Sequence, residues 1–265
     1  MDIMTIIMTA IIVAGIGLFI AIFLEVAGKK LYVEVDERVE AITQELPGNN
    51  CGGCGYPGCA NLAGAIVDGN AKIDGCPVGG SSVAAMIGAI MGQDATQKEP
   101  LVAFVHCGGT CDKAKQDYVY TGQANCQMVK TIANGGPKTC NYGCLGFGTC
   151  KDACSFGAIE IVNGIAVINK DLCKACGQCV GVCPQGLISL VKQKESTKVV
   201  CNSKGKGKEV MVSCTVGCIG CGMCARVCEQ GAITMVDNLP VIDEDKCTHC
   251  GLCIEKCPKK CLKEI

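Results

Sequence analysis

Cysteine fills 26 of 265 positions, and much of it falls in runs spaced for iron-sulfur chemistry. Cys173-x2-Cys176-x2-Cys179-x3-Cys183 and Cys247-x2-Cys250-x2-Cys253-x3-Cys257 are each followed by proline. Cys218-x2-Cys221-x2-Cys224-x3-Cys228 is a third run, with Glu229 in the proline's place. In such runs three closely spaced thiolates grip one cluster, and the fourth cysteine turns away to ligate another. Zinc sites instead use Cx2C pairs set far apart that close on one tetrahedral ion, so triplets of this kind disfavour zinc.

Under the crossing rule, Cys218, Cys221, Cys224 and Cys257 are expected around one 4Fe-4S cluster, and Cys247, Cys250, Cys253 and Cys228 around its partner. Cys173, Cys176, Cys179 and Cys154 should form a third. The fourth site is irregular. Cys214, Cys218, Cys224, Cys228, Cys247 and Cys257 each lie 74 positions after Cys140, Cys144, Cys150, Cys154, Cys173 and Cys183, the mark of a duplicated module. Cys201 lies 75 after Cys126. That register puts Phe147 where the second copy has Cys221, so Cys144, Cys150 and Cys183 are one ligand short. Cys140 is the expected substitute, the alternative being a three-iron cluster or none.

Cys51-x2-Cys54-x4-Cys59-x16-Cys76 is a different arrangement, on a loop whose glycines at 52, 53, 55 and 58 allow tight wrapping and aim amides at sulfur. It makes a fifth cluster site. Of the remaining cysteines, Cys107 and Cys111 with Cys126 and either Cys201 or Cys214 form a candidate sixth site, against a reading as inert buried thiols. The cofactor expectation is therefore at least five 4Fe-4S clusters, and six if this last group assembles.

These loops need elements to hold them. Residues 3–24 carry no ionisable side chain and, as a helix, reach about 33 Å, enough to cross a bilayer. Lys29 and Lys30 follow the span, which places the rest of the chain on the cytoplasmic side by the positive-inside tendency. In that reducing compartment a disulfide framework is not expected. Val39, Ile42 and Leu46 recur at helical spacing, a second helical pattern covers 60–67, and 80–91 is an apolar helix too short to span. Asn163-Gly164 between apolar segments signals a hairpin over 158–168, and Asp237-Asn238 marks its counterpart over 233–242.

The fold expectation is a single N-terminal transmembrane helix (1–30), a small mainly α 4Fe-4S domain (31–97), and tandem ferredoxin-like α+β modules (98–200 and 201–265). Residues 31–97 hold eight acids and two bases, whereas 98–265 hold fifteen acids and twenty bases, which supports separate units. A net charge of −1 argues against nucleic acid as a partner. No Gly-x-Gly-x-x-Gly, Walker loop or haem-attachment motif is found, so the chain shows no site for bond-making chemistry and reads as a carrier of single electrons.

An anchor, then the Cys51–Cys76 arrangement, then ferredoxin-type runs resembles the B subunit of the Rnf complexes, membrane-bound ferredoxin:NAD oxidoreductases. The resemblance covers nearly the whole chain. It implies an electron-transfer subunit in the cytoplasmic membrane that takes electrons from soluble ferredoxin. Those electrons pass to flavin-bearing membrane subunits and ultimately NAD, coupled elsewhere to sodium or proton movement. A polyferredoxin subunit of a membrane hydrogenase or dehydrogenase is the alternative. The second full module, Cys218 to Cys257, departs from short family members and leaves the point of ferredoxin docking open.

Overall fold

The computed structural model describes residues 3–30, 36–95, 99–194 and 197–264. Helix α1 (Ile3–Lys30) runs for 28 residues, about 42 Å. Its large described apolar side chains, among them Ile11, Phe19 and Phe23, are exposed. An apolar helix with no protein cover and Lys29 and Lys30 in its last turn is long enough to span a membrane.

Helices α2 (Glu37–Glu45), α3 (Cys59–Val67) and α4 (Gly80–Met91) pack around Ile42, Leu46, Leu62, Ile66 and Ile87. This unit has an aliphatic core of its own, and Cys54, Cys59 and Cys76 lie against its edge.

Strand β1 (Leu101–Val105) opens the next unit. Then come α5 (Cys126–Thr131), α6 (Thr149–Asp152), the hairpin of β2 (Ile159–Val162) and β3 (Ile165–Ile168), and α7 (Gln178–Val182). Strand β4 (Ile188–Lys192) closes it by pairing antiparallel with β1, Leu101 against Lys192 and Val105 against Ile188.

The second module repeats the plan. Its elements are β5 (Thr197–Val199), α8 (Lys208–Ser213), α9 (Met223–Arg226), β6 (Ile233–Val236), β7 (Leu239–Ile242), α10 (Leu252–Glu255) and β8 (Leu262–Glu264). Strand β5 pairs with β8, and β6 with β7, all antiparallel.

Two backbone devices recur in both copies. The hairpin turns hold both central residues at positive φ, Asn163 at 46° and Gly164 at 74° in one, Asp237 at 49° and Asn238 at 64° in the other. That is the two-residue turn whose twist matches the flanking strands. Gly148, Gly177, Gly222 and Gly251 are left-handed, at φ 81°, 78°, 68° and 73°, each immediately before a short helix. A residue with a Cβ is disfavoured there. The pivot places Cys150, Cys179, Cys224 and Cys253 on the first turn of α6, α7, α9 and α10, and all four are buried.

The module cores are built around sulfur. Cys144, Cys150 and Cys179 are buried with Ala103, Ile159, Leu187 and Ile188 in one, and Cys224 and Cys253 with Val199, Ile233 and Leu262 in the other. So few aliphatic side chains bury little apolar area, and metal-stapled domains of this size lose their fold with the metal. Anaerobic iron chelation should therefore abolish the β-sheet circular dichroism and cooperative melting of the two modules. The helical signal of α1 to α4 should persist, because α2 to α4 rest on carbon.

Candidate metal centres

Four cavities of similar size, about 390, 410, 330 and 330 Å³, are each lined by at least four cysteines. Like-sized cavities with like donors suit one kind of occupant. Among the described residues no group of three or more His, Cys, Asp or Glu side chains is set to hold a metal ion. Sulfurs spaced around a cavity instead of drawn to one point fit a polynuclear centre better than zinc.

Cys154, Cys173, Cys176 and Cys179 line one cavity. Burial pushes the Cys179 thiol up to about 11, and the nearby sulfurs of Cys176, Cys173 and Cys154 add to the shift. The N–H of Ala103 donates to Cys173 Sγ at 3.4 Å. Such bonds to sulfur are one of the fold's means of tuning a cluster.

Cys218, Cys221, Cys224 and Cys257 line another. Burial again lifts Cys224 to about 11, with Cys218, Cys257 and Cys221 contributing. A fifth thiol joins them. Cys261 is buried, lines the same cavity and lies 3.6 Å from Cys257 Sγ. Its hydrogen bond to Cys218 holds the Cys218 thiol below its ordinary range while Cys261 keeps its own proton. Spacing gave no hint of this residue, because Cys261 stands outside every run.

The partner site is the one expected from Cys228, Cys247, Cys250 and Cys253. Burial raises the Cys253 thiol, with Cys247 and Cys250 close by, and Cys228 packs into the same core. Cys250 is exposed. His249 Nδ1 lies 3.9 Å from Cys247 Sγ.

The irregular site differs from expectation. The fourth thiol beside Cys144, Cys150 and Cys183 is Cys126, not Cys140. Burial lifts Cys150 to about 12, and Cys144, Cys126 and Cys183 are the sulfurs that add to it. The reason is local. Phe147, in the place of a cysteine, turns to pack edge-on against Tyr120, ring centroids 5.2 Å apart, and joins a core with Val129 and Leu145. That core seats α5, whose first residue is Cys126, and Thr149 Oγ1 accepts the Cys126 N–H at 2.8 Å. The usable signal was the coincidence of a missing cysteine at 147 with a spare one at 126.

Cys140 instead lines the remaining cavity with Cys107, Cys201 and Cys214. Burial raises the Cys140 thiol, with Cys107 and Cys214 near it. The expected grouping of Cys107, Cys111 and Cys126 is thereby broken up. Cys111 is exposed, its sulfur accepts from Gln116 Nε2 at 3.4 Å, and it lines none of these four cavities. The β2–β3 turn holds it away, since the Cys111 N–H donates to the Asn163 carbonyl.

On the N-terminal loop, burial raises the Cys76 thiol, and Cys54 and Cys59 lie near it. The Gly79 N–H donates to Cys76 Sγ at 3.4 Å. Cys51 sits where this loop meets the first module. Its carbonyl accepts from Gln178 Nε2, and it is among the sulfurs that raise the Cys176 thiol after burial itself. A Cβ on Gly53 would stand 2.5 Å from the Cys176 carbonyl oxygen, so only glycine allows this approach.

Chained cysteine cages on ferredoxin-like scaffolds define an iron-sulfur electron-transfer protein. An Fe-S cluster family model matches residues 46–78, a 4Fe-4S binding domain matches 166–189, and a 4Fe-4S dicluster domain matches 217–261. The chain is 46% identical to the B subunit of the Na(+)-translocating ferredoxin:NAD(+) oxidoreductase complex of Acetobacterium woodii, over 93% of this chain and 74% of that protein. It is 41% identical to the B subunit of the ion-translocating oxidoreductase complex of Methanosarcina acetivorans, over 95% and 96%. Identity to the proton-translocating counterpart of Clostridium ljungdahlii is 40%, over 98% and 93%. The chain belongs to the B-subunit family of ion-translocating (Rnf) oxidoreductase complexes.

Cys126→Ser should remove the irregular centre or convert it to a three-iron form, a loss of up to about four irons per chain. Cys111→Ser should leave iron and acid-labile sulfide unchanged. Metal analysis with EPR of the reduced protein reads both.

Proposed function

We propose that this chain is the electron-transfer subunit of an ion-translocating ferredoxin:NAD oxidoreductase complex. Helix α1 anchors it in the lipid of the cytoplasmic membrane with the cluster-bearing part on the cytoplasmic side. It carries at least five 4Fe-4S clusters. Their ligands are Cys51, Cys54, Cys59 and Cys76; Cys154, Cys173, Cys176 and Cys179; Cys126, Cys144, Cys150 and Cys183; Cys218, Cys221, Cys224 and Cys257; and Cys228, Cys247, Cys250 and Cys253. When bound, each cluster supplies one reversible electron. The chain's own residues hold the thiolates, exclude water and set neighbouring cages in contact.

The observation that carries this reading is the meeting of the Cys51 loop with the Cys173 run. There Gly53 abuts the Cys176 backbone and Gln178 donates to Cys51. It links the anchored, helical end of the chain to the ferredoxin-like modules, as a relay toward membrane subunits requires. Reduced ferredoxin donates at the opposite end, where Cys250 is exposed and Lys246 and Lys256 are exposed near it in sequence. Electrons leave from the Cys51 loop to flavin-bearing subunits and finally NAD. Residues 3–24 hold no ionisable group, so the span offers no ion relay of its own, and sodium or proton movement is assigned to other subunits.

Gly53→Ala tests both path and direction, because the added methyl pushes two cages apart without touching a thiol. In the intact complex, stopped-flow with reduced ferredoxin should show unchanged reduction of the C-terminal clusters and slowed NAD reduction. NAD reduction at the wild-type rate would reject the contact as the route. Loss of the first electron uptake would place ferredoxin at the Cys51 loop instead. A complex that oxidises hydrogen or formate without NAD-linked ferredoxin oxidation would reject the assignment itself.

A further inference from the structure

The cavity lined by Cys107, Cys140, Cys201 and Cys214 lies between the two modules, and these four cysteines are outside the residues matched by the family models. Its four cysteines come in equivalent pairs. Cys107 follows the end of β1 by two residues, and Cys201 follows the end of β5 by two. Cys140 and Cys214 stand 74 apart, in register with the duplication, each four residues ahead of the first cysteine of a run. Even the bonds to sulfur correspond. The Cys144 N–H donates to Cys107 Sγ at 3.3 Å, and the Cys218 N–H donates to Cys201 Sγ at 3.2 Å.

Backbone bonds join the copies around this point. Gly108 N–H donates to the Val200 carbonyl, Lys115 N–H to Ser213 and Thr215 N–H to Lys113, each at 2.9 Å. His106 adds a bond between Nδ1 and the Val199 carbonyl at 2.9 Å.

An independent observation concerns charge. Lys138 lines the same cavity and is only 3% exposed. Its Nζ donates to the carbonyls of Gly109 and Gly164, both at 2.9 Å, and among the described residues no carboxylate pairs with it. A buried ammonium held only by neutral carbonyls calls for an anion nearby. Four thiolates around a 4Fe-4S core carry a net charge of about −2 and supply one.

We infer that Cys107, Cys140, Cys201 and Cys214 hold a sixth 4Fe-4S cluster at the module junction, two thiolates from each copy, with Lys138 as its counter-charge. Cys144 and Cys218, which donate to its sulfurs, are themselves in the neighbouring cages. The junction cluster is thus one residue from each and joins the two modules into one relay. Its purpose rests on the relay reading above, but its ligands do not.

The test uses the full-length chain, purified without oxygen, and needs no ferredoxin. Six clusters predict about 24 irons and as many sulfides per chain, and five predict about 20. Cys140→Ser and Cys214→Ser should each remove about four irons and the same EPR component, with Cys111→Ser as the unaffected control. Lys138→Met should keep the iron and shift one centre to lower potential in an EPR-monitored titration, because removing a positive charge disfavours the more negative reduced state. About 20 irons in the wild type, or unchanged iron in both cysteine variants, would overturn the site. So would zinc in the iron's place. The wild-type count decides even where a variant fails to fold. Six clusters in a chain that ferredoxin cannot reduce would sink the relay reading alone.

Discussion

Thiols crowded together and buried resist ionisation. Burial and the neighbouring sulfurs lift Cys150 to about 12 and Cys179 and Cys224 to about 11. Iron reverses that balance, since the core's positive charge stabilises the thiolates that desolvation opposes. The rest of the structure is subordinate to this exchange. Strands of three to five residues and short helices would not stand on their own, and cysteines make up five of the thirteen buried side chains at the centres of the two modules. Among the described residues the α2–α4 unit departs from this, its six buried core side chains all being aliphatic.

Duplication gave two copies of one scaffold, and the thiols that line equivalent cavities come from different places in the two. In the second copy the run supplies its own second cysteine, Cys221. In the first that place is Phe147, and Cys126 comes in from α5 to stand beside Cys144, Cys150 and Cys183. Phe147 is not idle. Its edge-on contact with Tyr120 helps seat the helix that carries the replacement thiol. The contact that fills the place of a cysteine also seats the thiol that stands beside Cys144, Cys150 and Cys183.

Periodicity and turn chemistry made the scaffold legible. The hairpins around Asn163-Gly164 and Asp237-Asn238 lie where the turn residues put them, and the apolar helix over Gly80–Met91 is present. Local signals reach only as far as a loop closes, however. Cys140 lies four residues before Cys144, and that nearness suggested a shared site. The chain between them turns so that Cys140 joins Cys107, while Cys126, eighteen residues before Cys144, folds back to it. Cys214 and Cys201 meet Cys107 only because two modules dock, a fact held in backbone bonds such as Lys115 to Ser213. Pairings set by docking leave no mark on spacing. Cys261 was missed for a related reason: it acts as a proton-bearing neighbour and follows no ligand pattern.

The same N–H groups serve two ends at once. At Cys144 and Cys218 the backbone donor belongs to a residue whose own sulfur lies in one cage, while the sulfur it reaches lies in the next. A hydrogen bond to sulfur favours the more negative, reduced state of the centre that receives it. For the junction centre inferred above, the bond that connects neighbouring cages would therefore also bias where an electron rests between them. Connection and potential are set together within each module, because Cys107 and Cys201 receive equivalent bonds from equivalent positions of their own copy.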